Sequence, residues 1–477
     1  MASASKHVPP SEQPQFFGHP LGLYVLFFTE MWERFSYYGM RGLLKAYMVY
    51  YLVSGFGAKL YQNDFPDPPA EVPSNPFHFF GFDFLSMLPN WLVAHTSVQD
   101  FASSMYGMYT ALVYATPFFG GMLADRFIGQ RRAVYIGGIV MALGHFVMAS
   151  EQLFLVALGL LIVGNGFFKP NISTQVGDLY EAGDTRRDGA FTIFYMGINL
   201  GAFLCNLVCG TLAAIYGWHY GFGAAGIGLC IGLVMYFFGS KYLAEEKPRA
   251  EKAKDNAAHG PLSSEDWLKV GALCALCVLN IAFWAIYEQQ GNTMQTWADT
   301  QTNWPTILGF QVPPNWFQSF NPFMIFLFAP VLDIFWRWQS KRGQEPTSVG
   351  KMAIGSTIVG LSFIVMAVGA YVVGEGNRGS VFWPFFCTLI LTIGELYLSP
   401  IGLSLVTKVS PARIVSMMMG MWLASSFLGN FLSGWIGTFY DDMSKTNFFL
   451  LLCVIGVATG AAMWAFNKPL KKALGNA

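Results

Sequence analysis

The feature that most constrains this chain is a succession of twelve stretches of about twenty mostly apolar residues, each long enough to cross a bilayer as a helix. They run near 21–53, 101–124, 132–150, 152–174, 190–215, 217–243, 264–290, 316–337, 349–374, 380–400, 414–439 and 446–467. Lipid offers backbone groups no hydrogen-bond partner, so each span must satisfy its own as a helix. Only 12% of residues are charged, about half the share usual in soluble domains. The 51 glycines suit helices that pack closely in a membrane.

Loop charges give the orientation. With the N-terminus inside, the inside segments hold twenty Lys and Arg and the outside ones three, Lys59, Arg378 and Lys445. Positive charge stays on the cytoplasmic side, so both termini are expected there, in a plasma (inner) membrane. A charged stretch at 244–263 divides the chain into an N-terminal six-helix bundle, 21–243, and a C-terminal one, 264–467. Residues 1–20 and 468–477 read as cytoplasmic tails. The first outside segment, about 54–99, is long, and its apolar piece 77–95 reads as a packed external loop. Two six-helix halves around a midplane site is the layout of major facilitator transporters.

A charge near the bilayer centre costs at least ~2.5–3.5 kcal/mol, so the few that lie there need a use. In the first span Glu30, Glu33, Arg34, Tyr37, Tyr38, Arg41 and Lys45 fall on one helical face, opposite Trp32, Phe35 and Leu43. That stripe faces a polar cavity, or else forms a self-neutralising network that only braces helices. Lys169 follows Gly164-Asn165-Gly166 in the fourth span and precedes Pro170. Asn199 lies between Gly197 and Gly201 in the fifth. Trp284 and Glu288 share a face of the seventh, Trp422 and Ser426 a face of the eleventh, and Glu395 stands in the tenth. Basic groups thus gather in the first half and carboxylates in the second. A solute with a carboxylate at one end and an ammonium at the other matches that polarity. Carboxylates buried in low dielectric take up protons more readily than in water, which makes proton coupling a use for them.

Other classes find no support. Net charge is zero, so there is no basic footprint for nucleic acid. The seven cysteines sit in apolar runs without metal-ligand spacing, and His145 is the one histidine in such a run. There is no nucleophile–base pair or phosphate loop, so neither enzymatic activity nor a cofactor is expected.

The polar residues also resemble a known set. Glu30-x-x-Glu33-Arg34-Phe35-Ser-Tyr37-Tyr38-Gly-x-Arg41 is similar to the first-helix signature of the proton-dependent oligopeptide transporter family, within the major facilitator superfamily. Gly120-Gly121-x-x-Ala124-Asp125-Arg126-x-x-Gly129-x-Arg131-Arg132 resembles its loop 2–3 motif. Gly166-Phe-Phe-Lys169-Pro170-Asn171, the 194–201 stretch, Trp284-x-x-x-Glu288-Gln289-Gln290-Gly291, Asn321-Pro322 and Gly394-Glu395-x-x-x-Ser399-Pro400-x-Gly402 match further signatures in family order.

The resemblance implies a symporter that imports di- and tripeptides with protons by alternating access, functional as a monomer. Glu30, Glu33 and Arg34 would couple protons, with Glu288. Arg41 and Lys169 would attract the peptide carboxylate, and Glu395, with Asn321 close by, would take the amino end. Tyr37, Tyr38, Tyr114 and Asn199 would bond the peptide, while Trp284, Trp422 and Ser426 would shape its pockets. Arg41 with Glu288, and Lys169 with Glu395, would form switching ion pairs. The alternative cargo is nitrate or an amino-acid-like compound; nitrate has no ammonium to occupy Glu395. Two departures stand out. Animal members carry a second-helix histidine where this chain has Gly107, and the linker is too short for the two extra helices of many bacterial members.

Overall fold

The computed structural model describes residues 8–52, 80–81, 84–85, 87–94, 97–181, 184, 186–244, 262–411 and 415–474. Nearly all of the 244–263 linker, most of 54–99 and the ends of both tails lie outside them. Twelve long helices appear among the described residues. In the first half they are α1 Leu21–Tyr47, α2 Val98–Leu123, α3 Gln130–Val147, α4 Phe154–Asp178, α5 Arg187–Tyr216 and α6 Trp218–Gly239. The second half holds α7 Ser264–Tyr287, α8 Phe320–Lys341, α9 Ser348–Val373, α10 Phe382–Val409, α11 Val415–Gly437 and α12 Lys445–Leu474. Eight of the twelve are long and apolar enough to cross a membrane by length and composition alone. α1 fails that measure because the polar stripe runs along it.

Local chemistry sets the helix ends. Ser263 and Asp266 make a reciprocal capping box at the start of α7. Gly217, at φ 111°, turns α5 directly into α6, a conformation side chains resist. Three boundaries depart from the sequence reading. α12 continues to Leu474, seven residues past the expected end of its span. α10 runs past Pro400 to Val409, because a helix in a bundle can accommodate the missing N–H. α7 does not stop at 290 but passes through a 3-10 turn, Glu288–Gln290, into a short helix, Thr293–Thr300. Lys351 lies in the first turn of α9 and pairs with Glu345 at 2.5 Å.

The helix pairs repeat with an offset of six. α3 packs on α4 and α6, and α9 correspondingly on α10 and α12. α5 lies on α1 as α11 lies on α7. Small residues allow these approaches: a Cβ on Gly137 would stand 2.6 Å from Gly164 O, and one on Gly355 would stand 2.6 Å from Gly394 O. The chain forms two compact units that do not quite follow the halves. One contains α1 up to Leu44, α2 from Ala115, and α3–α6. The other contains the end of α1 from Lys45, α2 up to Tyr114, and α7–α12. In the 77–95 piece, Val93 is fully buried and Ala94 N donates to Ser104 Oγ at 3.1 Å, so that part packs on α2.

Candidate functional site

Glycines hold α1 in place. Its apolar face meets Gly221, Gly228 and Gly232 of α6, where added Cβ atoms would touch Leu43, Phe35 and Trp32. On α5, Gly197 and Gly201 straddle Asn199; a Cβ on Gly201 would lie 2.2 Å from Met31 O and 3.1 Å from Arg34 Cβ. α5 therefore lies directly against the turn of α1 that carries the charges.

On that turn Arg34 joins both acids. Its Nε bonds Glu33 Oε2 and reaches Glu30 Oε1 at 3.1 Å, and all three side chains are buried. Arg34 Nη2 reaches Asn165 Oδ1 on α4 at 3.4 Å. Gly164 and Gly166 flank Asn165 and let α3 and α2 approach on either side. One turn on, half-buried Lys169 lies within electrostatic reach of Arg34, Glu33, Glu30 and Arg41. Arg34 stacks over Tyr37 at 5.2 Å and Arg41 over Tyr38 at 6.0 Å, while the two tyrosine rings meet edge to face. Asn199 is buried and turns its amide back to Tyr195 O at 2.9 Å. Tyr114 is half-buried and falls with the second unit, at the boundary where α2 is divided.

In the second unit, Asn321 Nδ2 donates to Glu395 Oε2 at 2.8 Å and to Thr392 Oγ1 at 2.9 Å. Tyr287 also hydrogen-bonds Glu395, and Glu288 is near enough to repel it. Trp284, half-buried, packs on Gly429 of α11, while the indole of Trp422 packs on Gly402 of α10. Ser426 is buried one turn beyond Trp422, and its carbonyl accepts from Asn430 at 2.9 Å.

Some participants were not singled out from the sequence. Tyr287 directly precedes Glu288 in the seventh-span motif, and Thr392 lies one turn before Glu395; that spacing was the available signal. Asn165 stood between two glycines. His145, buried in α3, bonds Ser36 Oγ on α1 at 2.6 Å, a contact that no spacing rule could foresee. Among the described residues no group of three or more His, Cys, Asp and Glu could hold a metal ion.

The family model described as the POT family matches residues 131–263 and 262–452. The chain belongs to the POT family, the proton-dependent oligopeptide transporters. Peptide transporter YePEPT of Yersinia enterocolitica is 33% identical over 490 residues, covering 88% of each chain. A di-/tripeptide transporter of Lactococcus lactis subsp. cremoris is 30% identical over 524 residues, covering 97% of this chain and 98% of that one. Among solved structures, a peptide transporter POT in complex with sulfate superposes with a TM-score of 0.79 at 32% identity over 98% of each chain. A POT family transporter in complex with 5-aminolevulinic acid gives 0.79 at 27% identity, over 97% of this chain and 99% of that one. The fold of this POT protein is accordingly the major facilitator fold of a multi-pass membrane transporter.

Proposed function

We propose that this protein is a symporter that imports di- and tripeptides together with protons, by alternating access, as a monomer in the plasma (inner) membrane with both termini cytoplasmic. The carrying observation is Glu395: a buried carboxylate whose hydrogen-bond partners Asn321 and Tyr287 are neutral. A buried charge calls for a counter-charge, and a peptide ammonium supplies one. Arg41 and Lys169 take the peptide carboxylate. Tyr37, Tyr38, Tyr114 and Asn199 bond its polar backbone, and Trp284, Trp422 and Ser426 line the side-chain pockets. The relatives named as peptide transporters support this cargo.

Coupling is assigned to Glu30, Glu33, Arg34 and Glu288. One guanidinium shared by two buried acids changes its allegiance when either acid is protonated, and that change is felt at Lys169 on the neighbouring α4. Inward movement of one positive charge gains ~2.3 kcal/mol per 100 mV before any pH gradient. The test is uptake of a radiolabelled dipeptide by proteoliposomes with and without an imposed inward proton gradient. Accumulation driven by the gradient and competed by unlabelled di- and tripeptides is expected. Uptake indifferent to the gradient, or not competed by peptides, overturns the reading.

A further inference from the structure

The end of α1 carries a buried cation that the proposed transport site does not use. Lys45 is 3% exposed, and its Nζ reaches Asn292 O at 3.2 Å and Asn292 Oδ1 at 2.5 Å, just beyond α7. The Asn292 amide donates to Ser433 O on α11 at 3.2 Å, and Gln289 donates to the same carbonyl at 2.9 Å. Lys45 thereby ties α1 to both α7 and α11. Asp441, Asp299 and Asp100 lie in electrostatic reach of it, opposed by Lys445.

Beside this tie, α2 meets α11 backbone to backbone. A Cβ on Gly107 would stand 2.5 Å from Gly434 Cα. Permanent helix interfaces pair their buried polar groups. Ser103 on α2 and Asn430 and Ser433 on α11 flank this approach, and Ser103 Oγ, Asn430 Oδ1 and Ser433 Oγ are buried there without a hydrogen-bond partner. Each such group carries a desolvation cost while the seam is shut and none once water reaches it. The penalty favours a seam that parts.

We propose that Lys45 and Asn292 are the latch of an outer gate, formed where the end of α1 and the first half of α2 close on α7 and α11, and that this latch breaks to admit substrate. The proposal rests on the transport reading and its orientation, which put this end of α1 outside. Lys45 is here a positioning residue that contacts no cargo.

The test is the accessibility of a cysteine placed in the seam by Ser103→Cys, on α2, in proteoliposomes. It is read as the rate of labelling by a membrane-impermeant maleimide, above that of the same protein without the substitution. Lys45→Met should raise that rate about tenfold, and Asn292→Ala, which removes the side-chain half of the latch, several-fold. A rate within twofold of the intact latch in folded, monodisperse Lys45→Met protein overturns the proposal. Should Lys45→Met not fold, Asn292→Ala decides alone by the same criterion. Labelling requires no substrate, so its outcome is independent of peptide uptake, which tests the transport reading separately.

Discussion

Asn321 of α8 donates to Glu395 of α10 at 2.8 Å while also holding Thr392 at 2.9 Å, so one amide fixes both a carboxylate and the helix turn beneath it. Glu395 is thus held by a neutral donor, which leaves the proposed peptide ammonium to supply its counter-charge. Glu395→Gln should lose about tenfold or more in affinity for free dipeptides, equivalent to ~1.4 kcal/mol, and little for N-acetylated ones, which bind the intact protein poorly. Competition assays check this; equal proportional losses for both ligand types would make Glu395 a structural charge. Asn321→Ala should share the selectivity in milder form.

Glu33 is fully buried against Arg34. Glu33→Gln keeps the shape and removes the proton acceptor. It should abolish gradient-driven accumulation and leave peptide counterflow intact. Normal concentrative uptake by the variant removes Glu33 from the coupling group.

Lys169 sits one turn beyond Asn165, beside the Glu30–Arg34–Glu33 cluster. Lys169→Ala should weaken free peptides more than their C-terminal amides, measured as inhibition constants. Equal losses would assign Lys169 to bracing or gating.

Gly201 tests how α1 is held. A side chain there meets Met31 O at 2.2 Å, so Gly201→Val should destabilise by ~1–3 kcal/mol or more. On α4, Gly159 has nothing within 4 Å of its added Cβ, and Gly159→Ala should gain up to ~1 kcal/mol from helix propensity. Thermal unfolding in detergent compares the two; a Gly201→Val protein as stable as the parent refutes the packing account.

The fold was legible because lipid imposes a length and a charge rule on every span, and those rules survive in composition alone. The twelve spans match the twelve long helices in order, most ends within a few residues; the larger differences are α10, which Pro400 fails to end, α12, which runs on to Leu474, and α1, which gives way to a π turn after Tyr47. The charged turn of α1 was legible for the same reason: polar residues at 3.6-residue spacing in an apolar span stand out. What the sequence could not supply is pairing between distant helices. Arg34 with Asn165, Ser36 with His145, and Lys45 with Asn292 are each set by where small residues let backbones approach. Gly107 shows the limit well: as a sequence feature it was only a missing histidine, whereas in three dimensions it is the point where α2 touches α11.

The indole of Trp422 lies on Gly402, where an added Cβ would stand 2.3 Å from Cζ2. A single methyl group at 402 must therefore push the ring aside. This makes position 402 a dial for protein engineering: Gly402→Ala or Gly402→Ser displaces the indole without touching any charge, so, with Trp422 in its proposed place in the cargo pocket, a library varied there alone is expected to shift cargo preference.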